Sequence, residues 1–216
     1  MYSICGVKRN LLFTTCDSRI LNKYITNLKI KTFLFCQFTL FSYLCTRMKE
    51  IFVKDSDLRR AAGEGMDEFV DVFFNAISDA VGGELTAENM AELNADQLTL
   101  WAYHALHEEV MDGGFVQLIH NGYGDFIFLN PFAKAIKDWG LRDLSKMIYD
   151  VKKLYWTHKD EIMRECSDDE FMGLFEKMPE FDDFDDNFVE NEERWTAQVA
   201  EYIDNNIERF ATVREE

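Results

Sequence analysis

Along most of the chain the apolar positions recur at intervals of three and four, and no stretch alternates at period two over a strand's length. That spacing predicts helix throughout the ordered part. From Asp67 to Val81 the residues Phe69, Val70, Phe73, Phe74 and Ile77 share one stripe, and Gly82-Gly83 stops the helix. Thr86 is placed to cap a short helix over Ala87 to Leu93, and Asn94 a longer one from Ala95 to Met111. Asn130-Pro131 opens a further helix that ends at Gly140. Leu144, Met147, Ile148, Val151, Leu154 and Tyr155 mark the next, from Arg142 to Trp156. Ser167 and Glu170 form a capping box ahead of a short helix closed by Pro179. Trp195, Val199, Tyr202, Ile203 and Phe210 face inward on a last helix from Asn191 to Phe210. The expected fold class is all-α, a single compact multi-helix domain.

The stretch from Glu109 to Gly124 organises this pattern, because it places four of the eleven glycines between two apolar helical runs. Gly113-Gly114 directly after a helix allows a left-handed exit and a close approach of neighbouring elements. On the preceding helix Leu98, Trp101, Ala102 and Ala105 share an arc, and Glu109 falls in its middle. An inward carboxylate must find donors. The free amides of the helix starting near Gly113 are the nearest, so Glu109 reads as a structural lock. With Gly113, Gly114, Phe115, Gln117 and Asn121 it is assigned to architecture.

Charge divides the chain. Residues 1–47 carry seven Lys/Arg and one acid, net +6, and hold four of the five cysteines; residues 48–216 are net −23. The apolar run from Thr32 to Cys45 lacks the short lead-in and small-residue cleavage site of a signal peptide, and is shorter than a membrane span. Translation starting at Met48 is the preferred explanation, with residues 1–47 an N-terminal extension outside the core, read through from upstream or disordered. Cys166 then stands alone, which suits a reducing cytoplasm.

Within residues 48–216 the charge is uneven. No Lys or Arg occurs from Ala61 to Ala133 among thirteen acids, and residues 165–216 hold four bases against eighteen acids. Between them, residues 134–164 hold eight bases against five acids. The densest acidic run spans Glu180 to Phe188. On a helical wheel Phe181, Phe184 and Phe188 form an anchoring stripe, with Asp182, Asp185 and Asp186 projecting together from its flank. Like charges three and four apart cost about 0.2 to 0.5 kcal/mol per pair, so local stability does not explain them. Carboxylates one turn apart are spaced by about 5.4 Å along the axis, comparable to phosphates along a DNA strand. Glu180, Asp182, Asp183, Asp185, Asp186, Glu190, Glu192 and Glu193 are therefore the candidate partner-binding residues. A solvated face conferring solubility is the plain alternative.

The pattern Glu109-Val110-x-Asp112-Gly113-Gly114-Phe115-x-Gln117 followed by Asn121-Gly122 resembles the signature of the bacterial DNA-mimic protein family, a group of small acidic all-helical proteins. Phe181-x-x-Phe184-x-Asp186-x-Phe188 and Tyr202-Ile203-x-Asn205 are similar to that family's C-terminal part, so the resemblance covers roughly Asp96 to Phe210. The resemblance implies a helical protein, with homodimerisation an option, whose negative surface occupies the DNA site of a basic DNA-binding protein such as a transcription factor. Asp112 and Val116 depart from the residues expected there.

Other chemistries find less support. His104, His107 and Glu108 share a helix at metal-ligand spacing, with His120 or His158 to complete a set, which makes a metal-dependent enzyme the alternative. Their order matches no common zinc-protease motif, and they lie away from the Leu98 arc, so they are expected at the solvated surface. Cys166 sits among acids that suppress a thiolate, and no phosphate-cradling glycine loop is present. Net −23 disfavours direct nucleic-acid binding. The sequence-based expectation is thus a non-enzymatic protein with no cofactor, no bound metal and no membrane partner; a plain structural or oligomerisation module is the third reading.

Overall fold

The computed structural model describes residues 48–215, so the readings of residues 1–47 lie outside it. In chain order the elements are β1 (Phe52–Lys54), α1 (Asp55–Glu64), α2 (Met66–Val81), a 3-10 turn (Asn89–Glu92), α3 (Ala95–His120), α4 (Gly124–Phe128), α5 (Phe132–Asp138), α6 (Arg142–Ile162), α7 (Asp168–Lys177), α8 (Asp182–Asp204), α9 (Ile207–Phe210) and β2 (Thr212–Arg214). Among the described residues the fold is mostly helical, as expected. It also holds a parallel pairing of β1 with β2, in the register Val53 opposite Val213. Three residues are too few for alternation to register in a sequence, and the pairing joins two segments far apart in the chain.

α3 is the central element. It packs against α2, α4, α5, α6, α8 and α9. The expected inward arc of Leu98, Trp101, Ala102 and Ala105 is therefore only part of the buried surface: Leu100 and Leu106, outside that arc, are completely buried. A helix surrounded by others loses the one-sided pattern of a surface helix. Its start is held by the capping box of Asn94 and Gln97, each accepting from the other's backbone amide at 2.9 Å. Both side chains also donate to the C-terminal segment, Asn94 to the Arg209 carbonyl and Gln97 to that of Phe210. The end of the chain is thereby fastened to the start of the central helix.

Gly113 and Gly114 break α3. Gly114 takes φ 72 and ψ −176, and helical geometry resumes at Phe115. Gly82 ends α2 in the left-handed region at φ 90. α8 begins earlier than expected, at Asp182 rather than Asn191, so the acidic run and the Trp195 stripe are one helix of 23 residues. Phe181, Phe188, Trp195, Val199 and Ile203 are buried along it. The Phe188 ring meets Phe115 edge-on at 6.3 Å between centroids and tilts against Trp195 at 5.4 Å. These contacts fix how α8 is rotated about its own axis.

Candidate partner-binding surface

That rotation sorts the acids of α8 into two edges. Asp182, Asp186, Glu190 and Glu193 recur at intervals of four, four and three and are all exposed, as are Glu180 and Asp183 beside them. At a rise of about 1.5 Å per residue the stripe spaces successive carboxylates by about 4.5 to 6 Å along the axis. Val189, 55% exposed, lies in the same stripe. Among the described residues, none of these six carboxylates lies within 4.0 Å of a Lys, Arg or His nitrogen. Arg194, the nearest base in sequence, is engaged with Asp143 of α6 at 3.5 Å and lies over the Trp195 ring.

Asp185 and Glu192 do not belong to that stripe, contrary to the expectation that Asp182, Asp185 and Asp186 project together. Seven residues apart, both turn toward α3. Asp185 Oδ1 accepts from the Phe115 backbone amide at 2.8 Å. Burial raises its carboxyl to about 6, opposed by the Phe115 hydrogen bond and reinforced by the charges of Asp182 and Asp186. Glu192 stands 2.9 Å from His107 Nε2 and accepts from Thr196 Oγ1.

The donors to Glu109 also differ from those expected. Its carboxylate accepts from the side-chain amides of Asn121 at 2.8 Å and Gln117 at 3.3 Å, not from the amides after the break. Gln117 Nε2 further donates to Asp112 at 2.7 Å. Residues 109, 112, 117 and 121 thus form a polar brace across the break, and the free amide beyond it is taken by Asp185.

A second acidic area appears where α2, α3 and α8 meet, around a cleft of about 250 Å³ lined by Asp67, Asp71, Tyr103, His104, His107, Glu108 and Thr196. Asp67 is raised by burial and then by Glu192, while Asp71 is raised by burial with Glu108 contributing against His104. His104 is half-buried: one face stacks flat on Phe74 at 3.5 Å between centroids while Nε2 stands 3.9 Å from the exposed Asp71, and burial lowers its pKa. His107 lies between Glu192 and Glu108. Tyr103 shares a hydrogen bond with Thr196 at 2.7 Å, and burial raises its hydroxyl pKa. Sequence reasoning missed Asp67 and Asp71 as surface candidates. The absence of Lys and Arg from Ala61 to Ala133 was the available signal.

The histidines expected to complete a metal set are elsewhere. His120 Nδ1 is 2.8 Å from the Ile162 carbonyl, and the His158 ring rests against Phe181. Among the described residues no three His, Cys, Asp or Glu side chains are gathered closely enough to share a metal ion. No described helix is long and apolar enough to cross a membrane.

Among the described residues the chain is thus a mostly helical acidic domain with unneutralised carboxylates at one-turn spacing along α8. The sequence model described as "DMP19-like protein" matches residues 91–206, and the chain belongs to that family. It is 35% identical over 127 residues to the DNA mimic protein DMP19 of Neisseria meningitidis serogroup B, a stretch covering 58% of this chain and 77% of that protein.

Proposed function

We propose that this protein is a non-enzymatic DNA mimic of the cytoplasm, whose acidic surface occupies the DNA-binding site of a basic protein such as a transcription factor. The observation that carries the reading is the outer stripe of α8. Asp182, Asp186, Glu190 and Glu193 are exposed and free of internal cations among the described residues, on a helix whose opposite side is locked by Phe181, Phe188 and Trp195. A rigid row of anions presents a cationic groove with a field like that of a nucleic-acid strand, without the cost of ordering loose side-chain carriers. Glu180 and Asp183 extend the row at its start. Asp67, Asp71 and Glu108 add charge where α2 and α3 meet α8.

The test is capture of DNA-binding proteins from lysate by immobilised wild type and by the variant Asp182→Asn, Asp186→Asn, Glu190→Gln, Glu193→Gln. Wild type retains a basic DNA-binding protein that duplex DNA displaces, and the variant retains none while keeping its helical circular dichroism. Equal retention by both, or retention indifferent to competing DNA, sinks the reading.

A further inference from the structure

Asp185 is one of the acids of α8 that the outer stripe leaves over. Its Oδ1 accepts from Phe115, the first amide past the break in α3, and so serves as an N-cap supplied from 70 residues away. The fit is close, because a Cβ at Gly114 would stand 2.5 Å from Asp185 Oδ2. The charges that act on it are of like sign, those of Asp182 and Asp186 on α8. Glu109 and Asp112, before the break on α3, are engaged by Gln117 and Asn121, and the His158 ring of α6 lies against Phe181 at the foot of α8. Among the described residues no Lys, Arg or His nitrogen lies within 4.0 Å of its carboxylate. A half-buried acid with one amide donor and two acidic neighbours holds its proton more readily than an acid in water.

We propose that Asp185 is a proton-linked positioning residue: its carboxyl oxygen pins the first turn of α8 to the break in α3, and cations gathered on the outer stripe favour its ionised form. This rests on the reading of the stripe as a surface for a basic partner. Burial is the main reason Asp185 holds its proton, and the charges of Asp182 and Asp186 add to it; neutralising those two from outside removes their part, so a basic ligand favours loss of that proton as it binds. By reciprocity, acidification weakens the ligand's hold. The inner edge thereby makes the outer edge sensitive to pH.

The experiment follows the Asp185 side-chain carboxyl and the Phe115 amide by NMR across pH 4 to 8, on the full chain, with and without saturating decalysine. Without decalysine the two signals move together, with a shared midpoint near the value of about 6 that burial imposes. Decalysine lowers that midpoint by roughly half a unit or more. In Asp185→Asn the amide stays slow to exchange, because the Asn carbonyl still accepts, but its shift no longer follows pH. In Asp185→Ala its protection is lost. A Phe115 amide that titrates equally in Asp185→Asn overturns the proposal. So does a decalysine complex in which the Asp182 and Asp186 carboxyls shift but the Asp185 midpoint stays put. If decalysine leaves Asp182 and Asp186 themselves unmoved, the surface reading falls and the linkage falls with it.

Discussion

Asp185 and Asp186 are adjacent and chemically identical, and the fold gives them opposite work. Asp186 faces water in the outer stripe, whereas Asp185 faces the broken helix and takes the Phe115 amide. Glu193 and Glu192 repeat the division two turns later, with Glu192 turned to His107. A helix rotates about 100° per residue, so neighbours on the boundary of a buried face fall on either side of it. Outer carboxylates keep their hydration and remain available to a partner. Inner ones lose hydration and are held only where a specific donor meets them. One helix can therefore carry a charged surface and the fastenings that orient it.

The largest expected effect comes from removing what sets the boundary. Phe188→Ala deletes a completely buried ring that packs on Phe115 and Trp195. It should destabilise by about 3–5 kcal/mol, read as a lowered urea midpoint, and erase the distinction between the edges. Gly114→Ala comes next. It forces a side chain into φ 72 and against the Asp185 carboxylate, for a cost of about 1–3 kcal/mol at an unchanged denaturant slope. A loss near zero would mean that the break relaxes without Asp185.

The inner edge alone is tested by pH. A carboxyl whose folded value of about 6 lies above its ordinary 3.8 contributes stability that is complete below that ordinary value and is lost as pH rises through about 6. The shift corresponds to at most about 3 kcal/mol, and partial solvent contact reduces the expected effect to about 1 kcal/mol. Wild type should therefore lose that much relative to Asp185→Asn between pH 4 and pH 7 in urea unfolding. Asp67 and Asp71, raised in the same direction, are common to both proteins and cancel in the comparison. The outer edge alone should barely affect stability. Substituting its four acids by amides removes repulsion of about 0.2–0.5 kcal/mol per pair, so thermal unfolding should stay level or rise slightly. A marked fall would show that the outer acids are structural, against their assignment to a partner.

Much of this architecture was legible in the chain. The periodicity of α2, α6 and the Trp195 stripe, the caps at Asn94 and Ser167, and the glycine stops all state local preferences that the fold keeps. The stacking of His104 on Phe74 was not, because a wheel drawn for α3 assumes one buried side and this helix has neighbours on most of its circumference. Nor was the brace of Gln117 and Asn121 on Glu109, which depends on how far the chain turns at two glycines whose φ and ψ no side chain restricts.

The sequence by itself determined that the protein is helical, strongly acidic, interrupted at Gly113-Gly114, and anchored along α8 by aromatic residues, since each of these follows from residue type and spacing. Only the tertiary structure decided which acids face solvent and which face the fold. That choice depends on the rotation of α8 against α3, set by Phe188 between Phe115 and Trp195. A shift of one residue, about 100° of helix, would exchange the roles of Asp185 and Asp186.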